Sequence, residues 1–348
     1  MSKKIKEINL LALAISLLIL LVGYFLVITV IFYGFGVENS FVKKTLKFLP
    51  YPAAFVSSAG YVSIGELESE LAAVKGFYEN QDFANLGYRV DFSTEDGKTR
   101  LMIKKKRILN KLIENRVIEM LAKKRGMEID NEIVSQEVDK SIEQYGSGEK
   151  LLENLEKFYG WNLNDFEKKI VKPEMYKENL SQYVRTGDSD AVVAKNKIEI
   201  ALSEINSGKD FSEVASEYSE GESAKNGGDL GWLSVDQMIP EIALTVSLLE
   251  KEKNSNVLES PLGFHIIKFE DKKTENDVEM FKLSQVFVKA KNFSEWLIEQ
   301  EKDIKIYIPL KDFYWDTEIQ EVRFKDEKIE EFEKNINENS AGDISVIF

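Results

Sequence analysis

The side chains that carry most protein chemistry are scarce in this chain, and that narrows what it can do. His265 is the only histidine and there is no cysteine. A paired-histidine metal site lacks its second ligand, a thiolate site or cysteine nucleophile lacks its sulfur, and Ser-His-Asp chemistry has too few parts. No phosphate-cradling GxxxxGK[ST] run occurs, and the acidic run Asp271 to Glu279 lacks the glycine of a calcium loop. Neither a metal nor a cofactor is expected. Two stretches stand out: a turn, Gly227-Gly228-Asp229-Leu230-Gly231-Trp232, and an apolar segment carrying the histidine, Gly263-Phe264-His265-Ile266-Ile267. Glycines around an aspartate allow positive φ and close backbone approach, so the turn reads first as architecture. A histidine in an apolar strand reads either as a core imidazole with one hydrogen bond or as a functional group.

The elements that must position these residues follow from spacing. Between 191 and 271 the pattern gives a helix over Ile198–Ile205, a turn at Gly208, a second helix after the glycine turn, and a strand around His265. Upstream, Ile103, Ile108, Leu112, Ile113, Val117 and Leu121 recur at helical spacing from Thr99 to Arg125, with Gly126 as the stop. Ser63 with Glu66 forms a capping-box pattern, and Asp130 suits the cap of a helix carrying Val134, Val138 and Ile142. Gly146 to Gly148 breaks that pattern, and Pro173 marks a kink or boundary in a helix from Asn164 toward Tyr183. The polar and aromatic stretch Phe77 to Lys98 has no assignment.

Ile8 to Val37 contains no charged side chain and exceeds the roughly 20 residues that span a bilayer. No small-residue cleavage site follows closely, so an uncleaved anchor is expected. Lys3, Lys4 and Lys6 before the span balance Lys43, Lys44 and Lys47 after it, so charge alone leaves the orientation nearly tied. The net charge of −14 argues against nucleic acid as a partner, because phosphate binding needs clustered Lys and Arg.

The ordered set Asp210-Phe211, Ala215, Tyr218-Ser219, Ser223-Ala224, the Gly227–Trp232 turn and Gly263–Ile267 resembles the parvulin-type peptidyl-prolyl isomerases, in order and spacing over about 80 residues. The segments SSAGYVSIGEL, LNKLIENRVIEMLAKKRGMEI and LEKFYGWNLNDFEKKI are similar to the chaperone module of SurA- and PrsA-type folding factors. The resemblance implies an α+β chain: residues 1–7 in the cytoplasm, an anchor at 8–37, a linker at 38–60, a helical SurA-like domain at 61–185, a parvulin-like domain with a small antiparallel sheet at 186–290, and an α/β extension at 291–348. It implies a single-pass membrane protein with its bulk extracytoplasmic, acting on unfolded or exported polypeptides that contain X-Pro bonds. The chemistry needs no nucleophile: an X-Pro bond turns slowly behind a barrier of about 20 kcal/mol, and a catalyst need only favour the twisted amide.

By the same resemblance, His265 is the histidine of the last strand, and Ser260 lies near a hydroxyl position of its network. Met238 and Ile242 take pocket-lining positions, Ile242 where a Phe is common, and Leu230 and Trp232 of the glycine turn complete the substrate side. Parvulins begin with a strand bearing a first histidine, and Gln182 to Asp190 offers none. Lys282 to Lys289 reads like the missing strand, with Gln285 in the histidine's place. Pairing of Gly263–Phe269 with Lys282–Lys289 as a hairpin across the polar stretch Glu270–Glu279 gives a circularly permuted sheet; otherwise 282–289 starts the next domain. Gly221 stands where many parvulins place an acidic or thiol side chain. With Gly221, Ile242 and Gln285 all departing from the pattern, three readings stay open: an active isomerase, an inactive holdase that only binds clients, and an assembly partner.

Overall fold

The computed structural model describes residues 10–36, 39, 42, 44–46, 49–81, 91–146 and 148–339. The chain divides into two compact units, Met1–Tyr176 with Glu301–Phe348, and Lys177–Gln300.

The first unit opens with the apolar helix α1 (Leu10–Thr29), which ends in a π turn, Val30–Gly34. Strands β1 (Pro52–Val56) and β2 (Gly60–Ser63) form an antiparallel hairpin. The capping box expected at Ser63 is present, with Glu66 N donating to Ser63 Oγ at 3.1 Å, and opens α2 (Ile64–Asn80). The long helix α3 (Glu95–Lys123) buries Ile103, Ile113, Val117 and Leu121 of the stripe expected from the spacing; Ile108 and Leu112 are only half-buried, and Leu109, outside that stripe, is buried. Asp130 caps α4 (Asn131–Tyr145) through the Ile133 amide at 2.9 Å. The short helices α5 (Gly148–Asn154) and α6 (Leu163–Phe166) precede α7 (Lys172–Thr186). Pro173 is the second residue of α7, and a π turn, Glu167–Val171, directly before it joins α6 to α7 without a break in the helix. The aromatic stretch Phe77 to Lys98 lies partly outside the described residues, at 82–90.

Within the expected linker at 38–60, the stretch 52–56 is extended, as its proline favours, but it forms β1, in which Ala53, Ala54 and Val56 are buried. Its second partner comes from the far end of the chain. After α11 (Phe293–Glu301), strand β8 (Ile306–Tyr307) pairs with β1, and the backbones of Ser57 and Lys305 meet although they are 248 residues apart in sequence. Strands β9 (Phe313–Asp316) and β10 (Glu321–Phe324) form a second hairpin that docks on α3 through the Val322 amide and Asn110 Oδ1 at 3.0 Å. Helix α12 (Glu327–Asn339) follows, its Glu333 paired with Lys106.

The second unit is a three-layer sandwich. Helices α8 (Ser189–Asn206) and α9 (Phe211–Tyr218) precede β3 (Asp229–Ser234) and α10 (Pro240–Leu248); β4 (Lys253–Asn254), β5 (Leu258–Ser260), β6 (Gly263–Glu275) and β7 (Val278–Lys289) complete an antiparallel sheet. Its order is β3-β7-β6-β4, with β5 also on β6. The hairpin expected of Gly263–Phe269 and Lys282–Lys289 is the one found, with His265 opposite Phe287 and Ile267 opposite Gln285. The polar stretch between them is not a loop: both strands run on through it to a two-residue turn at Asn276 and Asp277, each with positive φ as a tight hairpin requires.

Because successive strand residues face opposite sides, the hairpin serves two cores. Phe264, Ile266, Val286 and Val288 pack under α8 and α9 with Ile198, Phe211 and Val214. Ile267, Phe269, Phe281 and Leu283 pack under α10 with Ile242 and Val246.

Candidate functional site

Three neighbouring strands bring His265, Ser260 and Gln285 together. Residue 265 lies opposite Leu258 of β5 and Phe287 of β7, and Gln285 is its diagonal neighbour on the same sheet face. Ser260 Oγ stands 2.8 Å from His265 Nε2, and His265 Nδ1 stands 3.4 Å from Gln285 Oε1. The Leu262 amide donates to Ser260 Oγ at 3.1 Å. With Gln285 Oε1 as acceptor, Nδ1 carries the proton and Nε2 is left to accept from the serine hydroxyl, which also lies 3.3 Å from the Gly263 carbonyl. The chain runs in one direction, from Leu262 N–H through Ser260 and the imidazole to Gln285.

His265 and Ser260 are each 4 % exposed. Burial pushes the histidine below its ordinary pKa; the hydrogen bond with Gln285 and the charge of Glu241 act the other way and do not overcome it. The imidazole is therefore neutral at neutral pH. Its ring stacks on Phe287, with centroids 4.8 Å apart. Gln285 and Phe287 are both half-exposed, so solvent reaches the site from the β7 side.

Phe287 was not legible as a site residue, since nothing in KLSQVFVK distinguishes it from an ordinary alternating strand residue. Its backbone is clamped by the loop after α9: its N–H donates to Ser219 Oγ at 3.0 Å and its carbonyl accepts from the Glu220 amide at 2.7 Å. The same loop brings in Gly221, where an added Cβ would lie 3.5 Å from the Phe287 ring and 3.8 Å from Gln285 Nε2. The position lacking a side chain thus faces the network directly.

The glycine turn holds the other half of β7. Gly228 has φ +85°, and a Cβ there would come within 2.4 Å of the Gln285 carbonyl oxygen, so only glycine lets the turn approach. Its own carbonyl accepts from the Gln285 amide at 2.8 Å. The turn's architecture is in this way the support of Gln285.

The apolar candidates divide. Ile242 is buried, and Met238 and Leu230 are half-buried against the cluster of Ile267, Phe269 and Leu283, on the sheet face of His265. Trp232 is not brought to that face. It lies opposite Lys282, whose face also carries Ser284 and Glu270, and its ring is covered by Lys273 Nζ at 4.7 Å. The bulge in β3 between Asp229 and Gly231 separates Leu230 from Trp232.

Chemically, this is a neutral, directional hydrogen-bond chain beside an apolar surface. A buried serine bonded to a neutral imidazole that ends on an amide has no carboxylate to stabilise an imidazolium, so nucleophilic acyl transfer is not supported. Among the described residues no cluster of three or more His, Asp or Glu has metal-binding geometry.

Comparison with known proteins agrees with this chemistry. The chain is 43% identical over 83 residues to a protein named Chaperone SurA from Hydrogenovibrio crunogenus, covering 24% of this chain and 18% of that protein. It is 29% identical over 180 residues to a Foldase protein PrsA from Geobacillus kaustophilus, covering 48% of this chain and 62% of that one. The chain thus spans less than two thirds of each of these curated relatives. A crystal structure of the peptidylprolyl isomerase PrsA from Bacillus anthracis aligns with 55% of this chain and 84% of its own, at 21% identity and a TM-score of 0.19, too low to carry an argument about fold. Residues 178–271 match the family described as Rotamase, PPIC-type PPIASE domain, and the second unit therefore carries a parvulin-type rotamase domain.

Proposed function

We propose that the chain is a membrane-anchored, extracytoplasmic peptidyl-prolyl cis-trans isomerase that assists the folding of exported proteins. The observation that carries this reading is the convergence of Ser260, His265 and Gln285 on one sheet face beside Met238, Ile242 and Leu230, all but Gln285 inside the region that matches the rotamase family. The apolar side chains hold the proline ring. The fixed network favours the twisted amide over the planar one, and because its imidazole is neutral and already hydrogen-bonded, it needs no reorganisation as the carbonyl turns. His265 and Ser260 orient, and half-exposed Gln285 offers the amide nearest the substrate. The helical first unit holds unfolded segments of the client. Anchoring is supported by one helix, Ala14–Gly34, long and apolar enough to cross a membrane, and placement outside the cytoplasm by likeness to proteins named chaperone and foldase.

A second reading, a holdase with an idle rotamase fold, is favoured by Gly221, which leaves the Gln285 and Phe287 side of the network without an ionisable group. Isomerisation of a short X-Pro peptide by the full chain in nanodiscs separates the two. An isomerase gives a rate enhancement that His265→Ala lowers at least tenfold and that Met238→Ala lowers mainly through KM. Suppressed aggregation of an unfolded client with no enhancement establishes the holdase. Protease accessibility in intact cells checks the side of the membrane, and digestion only after lysis would overturn the extracytoplasmic placement.

A further inference from the structure

The apolar helix is longer than a bilayer requires, and its C-terminal part is gripped by the protein. From Leu10 to the end of the π turn at Gly34, the helix runs about 37 Å at 1.5 Å per residue, against a hydrocarbon core of about 30 Å. In its first half Leu18, Ile19 and Leu20 stand exposed. From Tyr24 onward one side is covered by the chain's own body.

The grip is specific. Ile28 and Phe32, four residues apart on one helix face, are 2% and 7% exposed. Tyr51 donates to the Phe25 carbonyl at 2.9 Å, Tyr33 donates to the Pro52 carbonyl at 2.6 Å, and the hydroxyls of Tyr24 and Thr45 are 3.0 Å apart. Just past the π turn, Gly36 takes φ +64° against the aliphatic stem of Lys311 from the C-terminal segment. The opposite face remains apolar and open: Leu26, Val27, Val30 and Phe35 are exposed. A helix with protein on one side and uncovered aliphatic side chains on the other is poorly suited to water. The three tyrosines at this level are the amphipathic residues that favour a membrane–water boundary.

We propose that Tyr24–Gly34 is a fixed mount that holds the first unit in the headgroup and upper acyl zone of the bilayer, with lipid covering Leu26, Val27, Val30 and Phe35. This rests on the reading of α1 as an anchor. The body then cannot swing on a leash, and Tyr51–Pro52, at the start of the β1–β2–β8 sheet, sits at the membrane surface in one orientation. Tyr51 and Thr29 both donate to the Phe25 carbonyl of α1, so polar groups at this depth, where lipid offers no hydrogen bond, are paired within the protein.

The chain contains no cysteine, so introduced cysteines report alone. The test uses the full-length protein in liposomes of phosphatidylcholine and phosphatidylglycerol. The pair Tyr24→Cys with Thr45→Cys is expected to cross-link with a short bifunctional thiol reagent, the pair Leu18→Cys with Thr45→Cys is not, and adding Tyr51→Ala should lower the first yield severalfold. Spin labels at V27C and V30C should collide more with dissolved oxygen than with an aqueous nickel chelate. Inserted protein that fails to cross-link at 24 and 45 would establish a leash and overturn the mount. Nickel-accessible labels would show that the open face lies in water, and spin–spin broadening would show that a second copy covers it; either overturns lipid as the occupant. Release of the protein by alkaline carbonate would overturn the anchor reading itself, and the mount with it, whatever the cross-link shows.

Discussion

The two sheets of this protein are assembled in opposite ways. The site sheet is local: β5, β6 and β7, which carry Ser260, His265 and Gln285, lie within the span Leu258–Lys289. The base sheet of the first unit joins β1 and β2 to β8, with Ser57 and Lys305 meeting across 248 residues. A local hairpin closes a short loop, whereas a long-range sheet orders the intervening chain before it gains its contacts. The candidate site is thus placed on the element that needs least help from the rest of the chain, and the first unit depends on its distant C-terminal segment.

The largest break in this comparison is expected from Phe313→Ala. Phe313 is 1% exposed and packs on Phe324 beneath α3, and its truncation should cost about 4 kcal/mol. Hydrogen exchange read peptide by peptide should show faster exchange in β1, β8 and α3, with the protection of β6 and β7 unchanged. Loss of protection in both units together would mean that the two are not independent.

Next in size is a pH contrast. Glu301 is buried in the first unit, and burial together with the charge of Glu114 raises its pKa to about 7. A carboxyl whose folded pKa is raised stabilises the fold while protonated, so the first unit should lose up to about 3 kcal/mol as pH rises from about 4.5 through about 7. Buried His265 has the reverse sign. Its pKa is lowered on folding, so the second unit keeps its stability above about pH 6.5 and loses it as pH falls below that value. Exchange protection of the two units should cross as pH is varied from 8 to 5, and Glu301→Gln should flatten only the first slope. Parallel slopes would contradict the assignment.

Gly228→Ala should cost the second unit about 2 kcal/mol through strain at positive φ. It should also lower isomerase activity, because the new Cβ strikes the Gln285 carbonyl. An unchanged rate would separate the turn from the site. Smallest is Ser63→Ala, which removes one cap of α2 and should cost about 1 kcal/mol in the first unit alone.

Local signals were read correctly in both units. The capping box at Ser63, the cap at Asp130, the stripe of α3 and the break at Gly146 are encoded by neighbours in sequence, and each is found. The Gly263–Phe269 and Lys282–Lys289 pairing was legible because both strands alternate and lie close together. The linker reading of 38–60 shows where sequence fails at 52–56. Its prolines and small residues specify extended backbone, but β8 has only two residues, and a partner that short leaves no pattern to find.

What the sequence determined by itself was its chemistry and its local conformation. One histidine and no cysteine exclude most covalent and metal mechanisms, and the glycines of the turn dictate a tight approach wherever their partner lies. Tertiary structure alone decided what those groups meet. It stacked Phe287 on the imidazole, turned Trp232 to the far face through one bulge, and returned the C-terminal segment to the base of the first unit. Each of these depends on strand register or on contacts across long stretches of chain. A one-residue slip reverses which face a side chain occupies, and nothing in the residue itself records which partner sets the register.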